Sequence, residues 1–195
     1  MEQELFDALS ELEMRDETER LRNVADHLRA NILSPDSAKF ISMLAVSQKA
    51  KNIVEVGSGV GYSTLWLAYA ASLTGGKVIA CEIDSAKAAE AQATIEKAEL
   101  AGYVELLIGD ARETLRHRDE PVDFLFIDAD FGQYETYFDV VYKRMGVGST
   151  IVADDVVASE NELADYTTYV QNHPSLESVT LPLSHGLEFT VKTAE

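Results

Sequence analysis

Two groups of residues in this chain have the types and spacing to do chemistry. The first is the run Glu55-Val56-Gly57-Ser58-Gly59-Val60-Gly61-Tyr62-Ser63, which follows an apolar stretch and opens an amphipathic one. Glycines at the first two positions let a chain turn sharply and bring backbone N–H groups to a ligand, and the third lets a helix start close to the sheet. Such a turn can also be purely structural, so its neighbours decide the reading. A dinucleotide fingerprint would need a glycine where Tyr62 stands. Glu55 would oppose a pyrophosphate but suits a ligand carrying an ammonium or sulfonium charge. Glu82 ends the next apolar run, where a carboxylate can accept hydrogen bonds from both ribose hydroxyls of an adenosine cofactor. Gly109-Asp110-Ala111 follows the third run; there a backbone N–H and the Asp110 carboxylate could address an adenine edge, or Asp110 could simply cap a helix.

The second group is Asp128, Asp154 and Asp155. Asp128 closes the fourth apolar run and the pair closes the fifth, so an open α/β sheet would set all three at its carboxyl edge, where such sheets bind ligands. Three carboxylates with room for water suit a hard octahedral cation, Mg²⁺ or Mn²⁺. That ion would favour the ionised form of a hydroxyl and position it. The alternative is that Asp154 and Asp155 only cap the loop and the next helix. Of the four histidines, His27 and His117 lie in charged helical stretches and His173 precedes Pro174. Only His185 sits in a loop that could approach the site as a base.

The elements that must position these groups are legible from periodicity. Short, nearly all-apolar runs at Asn52–Val56, Lys77–Cys81, Val104–Ile108, Val122–Ile127 and Ser149–Val152 read as strands covered on both faces. Between and after them, Ser63–Leu73, Ser85–Leu100, a short piece near Thr114–Arg118, Tyr134–Arg144 and Glu160–Asn172 read as helices. Strand–helix alternation implies right-handed crossovers and a mainly parallel sheet. Beyond Pro174, Leu176–Leu181 and Leu187–Lys192 flank a Pro- and Gly-containing turn and predict an antiparallel hairpin strand at one edge. The expected fold is α/β, a Rossmann-like, doubly wound sheet of seven strands. Upstream, Met1–Asn31 looks helical, with Leu5, Leu9 and Leu12 on one side and Leu21, Val24 and Leu28 on another. It would serve packing or dimerisation, or lie over a substrate. Pro35 opens a further helix through Ser47 with Ser34 as its N-cap.

Length and charge bound the partners. The 195 residues fit one domain, with N-terminal helices over 1–48 and a ligand-binding core over 49–195. The 34 acidic against 16 basic residues give a net charge of −18, which repels phosphate backbones and anionic lipid, so neither nucleic acid nor membrane is an expected partner. The same excess would fit a salty cytoplasm. The acidic start Met1-Glu2-Gln3-Glu4 lacks the basic, then apolar, pattern of a signal peptide, so a cytoplasmic location is expected. The single Cys81 lies in an apolar run and reads as a buried, inert thiol.

From Leu33 to Lys192 the ordered set of motifs resembles the class I methyltransferases, and more closely the catechol and caffeoyl-coenzyme A O-methyltransferase family. The set comprises Ser34-Pro35 and its helix, Val54–Leu67 around the glycine loop, Ala80–Asp84, Gly109–Ala111, Val122–Tyr134, Ile151–Val156 and Gly186–Lys192. The resemblance implies S-adenosylmethionine held by Glu55, Gly57, Ser58, Ser63, Glu82, Ala111 and Asp130, with the backbone near Leu33 closing over it. Gly59 and Asp110 join that set from the loop readings above. The resemblance places a divalent cation on Asp128, Asp154 and Asp155, makes Asp128 the residue that serves both catalysis and cofactor, and implies a small hydroxylated, phenolic acceptor. A homodimer is the expected assembly. Two departures stand out: the family's Asp-Ala-Asp-Lys ends here in Phe131, removing a lysine, and its Asp-Asn pair is here Asp154-Asp155. Other readings are transfer to nitrogen or to a protein, and a cofactor-binding module without catalysis. A nicotinamide dehydrogenase is disfavoured by Tyr62 and the terminal hairpin.

Overall fold

The computed structural model describes residues 2–195. Seven strands, β1 (Asn52–Val56), β2 (Lys77–Glu82), β3 (Val104–Ile108), β4 (Val122–Ile127), β5 (Met145–Ala153), β6 (Leu176–Leu181) and β7 (Leu187–Lys192), form one sheet in the order β3-β2-β1-β4-β5-β7-β6. The first five pair in parallel, while β7 pairs antiparallel with both β5 and β6. This is the doubly wound, seven-stranded sheet expected, with both strands of the terminal hairpin added beyond β5. The chain runs outward from β1 to β3 and then returns to β4 beside β1. The two halves therefore diverge at the carboxyl ends of β1 and β4, where open α/β sheets place ligands.

Seven helices cover the sheet: α1 (Glu2–Leu21), α2 (Pro35–Ser47), α3 (Tyr62–Thr74), α4 (Ser85–Lys97), α5 (Ala111–Thr114), α6 (Tyr134–Tyr142) and α7 (Glu160–Gln171). Alternate strand residues serve opposite layers, as the pleat demands. Ile53, Phe124 and Phe126 pack with α1 to α4. Val54, Val56, Leu125 and Ile127 pack with the buried faces of α5 to α7. Caps behave as the residue types require: Ser34 Oγ accepts from Ser37 N at 3.2 Å, and Asp84 accepts from Ala86 N at 2.8 Å. Cys81 is buried, and burial pushes its thiol up to about 11.

Several boundaries differ from expectation. Strand β5 starts at Met145, four residues before the predicted Ser149, because Gly146 and Gly148 break the apolar pattern while a register shift opposite Val122 and Phe124 accommodates the extra residues. The Lys192 ammonium, buried, donates to Met145 O at 2.8 Å and holds that start in place. The short helix begins at Ala111 and ends at Thr114, because Asp110 caps it. The N-terminal helix ends at Leu21, and Asn23 takes a left-handed φ of 51°. Of the two predicted apolar sides, Leu5, Leu9 and Leu12 are buried, whereas Leu21 and Leu28 are exposed. Met1, where the helix was expected to begin, lies outside the described residues. Among the described residues no helix is long and apolar enough to cross a membrane.

Candidate functional site

The glycine loop closes against the neighbouring strand. Gly57 has φ +93°, and a Cβ there would lie 1.9 Å from Asp128 O, so only glycine lets β1 and β4 end side by side. Gly57 N and Ser58 N both donate to Cys81 O, at 3.0 and 3.1 Å, which ties the loop to β2. Gly61 was expected to bring the helix close to the sheet. Instead its missing Cβ lets the loop approach Ala91 of α4, at 3.2 Å. Gly59, at φ +53°, has nothing within 4 Å of an added Cβ: it faces open space. Its N–H donates to Glu82 Oε2 at 2.7 Å, and Asp84 N donates to Glu82 Oε1 at 2.8 Å. The Glu82 carboxylate is thus fixed by one bond on each oxygen, with a further lone pair free on both.

A cavity of about 320 Å³ lies over this loop, within the range of small-molecule sites. Leu33, Gly57, Ser58, Gly59, Ser63, Glu82, Asp110, Ala111, Asp128 and Asp130, all candidates from the sequence, line it together. Glu55 does not. It shares the strand parity of Ile53, so its side chain turns under α3, fully buried, and accepts a hydrogen bond from Thr64 Oγ1 at 2.5 Å. Burial pushes its carboxyl up to about 7. The structure thus does not bring Glu55 into the cavity lining, and its bond to Thr64 braces the first turn of α3. Asp110 caps α5 through Arg112 N at 2.9 Å, one of its two alternatives, and it also lines the cavity. The Arg112 guanidinium, 2.5 Å away, holds its carboxyl below the usual range. Ser58 Oγ is buried with no partner among the described residues and lines the cavity, an orphan a polar ligand would satisfy.

The far wall comes from Ala30–Leu33, just after the N-terminal helix, while Leu5, Leu9 and Leu12 of that helix pack into the core. Glu19 Oε2 accepts from Ala30 N at 2.6 Å, Asp16 Oδ1 accepts from Ile32 N at 3.4 Å, and Arg20 Nε donates to Asp16 at 2.6 Å. Tyr62 OH donates to Glu13 Oε1 at 2.6 Å, tying α1 to the glycine loop. Acidic residues of α1 thus strap Ala30–Leu33 across the carboxyl ends of the strands. Ile83 and Tyr137 also line the cavity and were not anticipated. Ile83 is 71% exposed, and an apolar residue at a polar turn directly after Glu82 was the available signal.

A second cavity, about 350 Å³, adjoins the first. Asn31, Ile32, Leu33, Asp128 and Ala129 belong to both, so Asp128 stands at the boundary. Phe131, Ile32, Leu33 and Ala158 give the second cavity apolar walls, and Asp154, Asp155, His185 and Arg20 give it polar side chains. Burial, then the charges of Asp154 and Asp155, raises the Asp128 carboxyl well above its usual range. Burial and Asp155 push Asp154 up to about 7. Tyr134, buried below, accepts from Ala129 N at 3.4 Å and donates to Asp154 O at 3.5 Å, bracing both loops. Neither Asp154 nor Asp155 is the N-cap of α7, which is Ser159, although Asp155 O accepts from Ser159 N at 2.8 Å and so helps shape the loop before the helix. The predicted cation set is brought together only in part. Ligand atoms of Asp154, Asp155 and His185 lie within 4.8 Å of one another, whereas Asp128 lines the same cavity outside that group.

Comparison with known proteins agrees with this geometry. Residues 8–190 match the family model described as O-methyltransferase. A catechol O-methyltransferase of Niastella koreensis is 38% identical over 140 residues, covering 70% of this chain and 63% of that protein. One of Mycobacterium tuberculosis is 32% identical over 134 residues, covering 68% of this chain and 60% of its own. The chain thus spans somewhat under two thirds of these relatives' lengths. An O-methyltransferase from Bacillus cereus, solved in complex with S-adenosylhomocysteine, superposes with a TM-score of 0.80 at 28% identity, over 96% of this chain and 91% of that one. On the matched motifs, the sheet order and the paired cavities together, this chain belongs to the O-methyltransferase family.

Proposed function

We propose that the chain transfers the methyl group of S-adenosylmethionine to a hydroxyl of a small phenolic acceptor, assisted by a divalent cation. The observation that carries this reading is the meeting of two cavities at Asp128, one fitted for an adenosine cofactor and the other walled by apolar side chains around paired carboxylates. The catechol O-methyltransferase relatives and the Bacillus cereus structure with the demethylated cofactor support it.

The residues fit the cofactor. Glu82, with a lone pair free on each oxygen, takes the ribose hydroxyls. Ile83 and Tyr137 offer apolar surface to the base, and Gly59 leaves the approach open because it carries no side chain. Ser58 Oγ and Asp130 address the polar tail. Held by these residues, the cofactor would supply a sulfonium-activated methyl group whose leaving sulfur is a neutral thioether. The residues also fit a cation, since the buried Asp154 Oδ1 has no hydrogen-bond partner among the described residues. A divalent ion held there would lower the acceptor's hydroxyl pKa. Phe131 and Ala158 flank the acceptor ring, and Asp128 positions the hydroxyl at the boundary. Burial and the neighbouring aspartates hold the Asp128 carboxyl well above its usual range, and Asp128 takes the hydroxyl proton in place of the lysine that Phe131 replaces. Arg20, at the same cavity and 46% exposed, suits an acidic substituent on the acceptor.

Titration calorimetry with S-adenosylhomocysteine and with NAD tests the cofactor half; binding of the first alone is expected. Mass analysis of products from catechol, a catechol bearing a carboxylate, and an aromatic amine tests the acceptor half. Methyl ethers are expected, most from the carboxylated catechol. An N-methyl product alone would overturn the choice of oxygen.

A further inference from the structure

The group formed by Asp154, Asp155 and His185 contains a nitrogen donor where sequence reasoning expected only oxygen. His185 Nδ1 lies 3.1 Å from Asp155 Oδ1. Three backbone hydrogen bonds lock the two loops that carry these residues. Val157 N and Ala158 N both donate to His185 O, at 3.0 and 2.8 Å, and Val156 N donates to Gly186 O at 3.1 Å. Gly186, at φ +96°, allows the lock, because a Cβ there would fall 2.3 Å from Val157 Cγ2. His185 is thus held at its place beside the aspartates by its own backbone. A second observation points independently to a ligand: Asp154 is 4% exposed, lines the cavity, and its Oδ1 is buried without a partner. A buried carboxylate oxygen left unbonded is costly unless a cation meets it.

We propose that His185 is the third protein ligand of the acceptor-cavity cation, and that an Asp154, Asp155 and imidazole set makes the chain select a first-row transition ion over Mg²⁺. The inference rests on the cation-assisted reading above. Mg²⁺ takes oxygen ligands in a strict octahedron, whereas a neutral imidazole adds a softer donor that Mn²⁺, and more strongly Co²⁺, accept. Asp128, outside the group, then remains free to act at the boundary between the cavities. The Nδ1 now beside Asp155 is the atom placed to bind, with the carboxylate and imidazole turning together onto the ion.

The test uses the whole chain and reads binding, not turnover. Calorimetry with Mg²⁺ and with Co²⁺ is compared between the wild type and His185→Ala. The His185 side chain is 57% exposed, so the variant is expected to melt at the wild-type temperature. The expected result is that Co²⁺ affinity falls roughly tenfold or more while Mg²⁺ affinity changes by less than about threefold, consistent with loss of one soft ligand. Pulsed EPR of the Mn²⁺-loaded wild type should show nitrogen modulation that the variant lacks. An unchanged Co²⁺ to Mg²⁺ ratio with no nitrogen signal in the wild type would overturn the assignment of His185 while leaving cation assistance standing. No binding of any of the three ions would overturn both, and calorimetry with S-adenosylhomocysteine would still judge the cofactor reading separately.

Discussion

Replacing Glu82 with glutamine separates its two duties. In the wild type each carboxylate oxygen accepts one backbone N–H, from Gly59 at 2.7 Å and from Asp84 at 2.8 Å, and the residue is only 7% exposed. Glutamine keeps one acceptor oxygen and turns an NH₂ toward the other donor, so one backbone N–H loses its partner and the remaining bond loses its charge. An unsatisfied buried donor costs about 1–3 kcal/mol, so a stability loss of about 2 kcal/mol is expected. In a chain of this length that corresponds to a fall of roughly 4–8 °C in melting temperature. Glu82 thus holds the loop as well as facing the cavity. Losing a charged acceptor for the ribose should weaken cofactor binding by about 1.5–3 kcal/mol, roughly 10- to 100-fold. Calorimetric titration with S-adenosylhomocysteine beside a thermal melt measures both. A lower melting temperature with affinity within twofold of wild type would show that Glu82 only braces the loop, and would refute the ribose assignment.

Three further outcomes follow from the same geometry. Gly59→Val should stay folded, since its Cβ meets nothing within 4 Å, with a penalty of about 1 kcal/mol for a left-handed β-branched residue, yet lose S-adenosylhomocysteine binding; normal binding would reduce the loop to a turn. Glu55, raised by burial from 4.5 to about 7, binds its proton more tightly folded than unfolded, so its contribution is fully present below about pH 4.5 and is lost as pH rises through 7. Chemical denaturation from pH 5 to 8 should therefore show a decline, shared with the raised Asp128 and Asp154, that Glu55→Gln reduces by up to about 3 kcal/mol; a decline equally steep in the variant would assign it elsewhere. Phe131→Lys places an ammonium or base at the acceptor cavity and should move the pH–rate profile to lower pH, while an unshifted profile would mean the residue lies off the proton's path.

Periodicity located β1, β3 and β4 to the residue because each is a short, mostly apolar run between turns; β1 and β4 are largely buried, whereas β3, at the sheet edge, is only partly covered. It missed the start of β5, where Gly146 and Gly148 carry no side chain to show a pattern. Strand ends likewise placed Glu82, Asp128, Asp154 and Asp155 at one edge, because parallel strands of a doubly wound sheet expose their carboxyl ends together. What stayed hidden depends on parity and on contacts between distant segments. Glu55 was read by its neighbours in sequence, but strand parity turned it away from the ligand. The strap of Ala30–Leu33 by Glu19 and Asp16, and the locking of His185 beside Asp155, join loops far apart in the chain and leave no local signal.

The central claim is that a methyl group crosses from one cavity to the other at Asp128. It is tested most directly by incubating the chain with methyl-labelled S-adenosylmethionine, Mn²⁺ and a carboxylated catechol, and following the label. The account predicts label in a catechol methyl ether, with turnover lowered at least 100-fold in Asp154→Ala while S-adenosylhomocysteine binding stays within about threefold, because Asp154 lines only the acceptor cavity. Full transfer by Asp154→Ala in excess chelator would contradict the role given to that cavity, and tight cofactor binding with no label in any hydroxylated acceptor would contradict the claim itself.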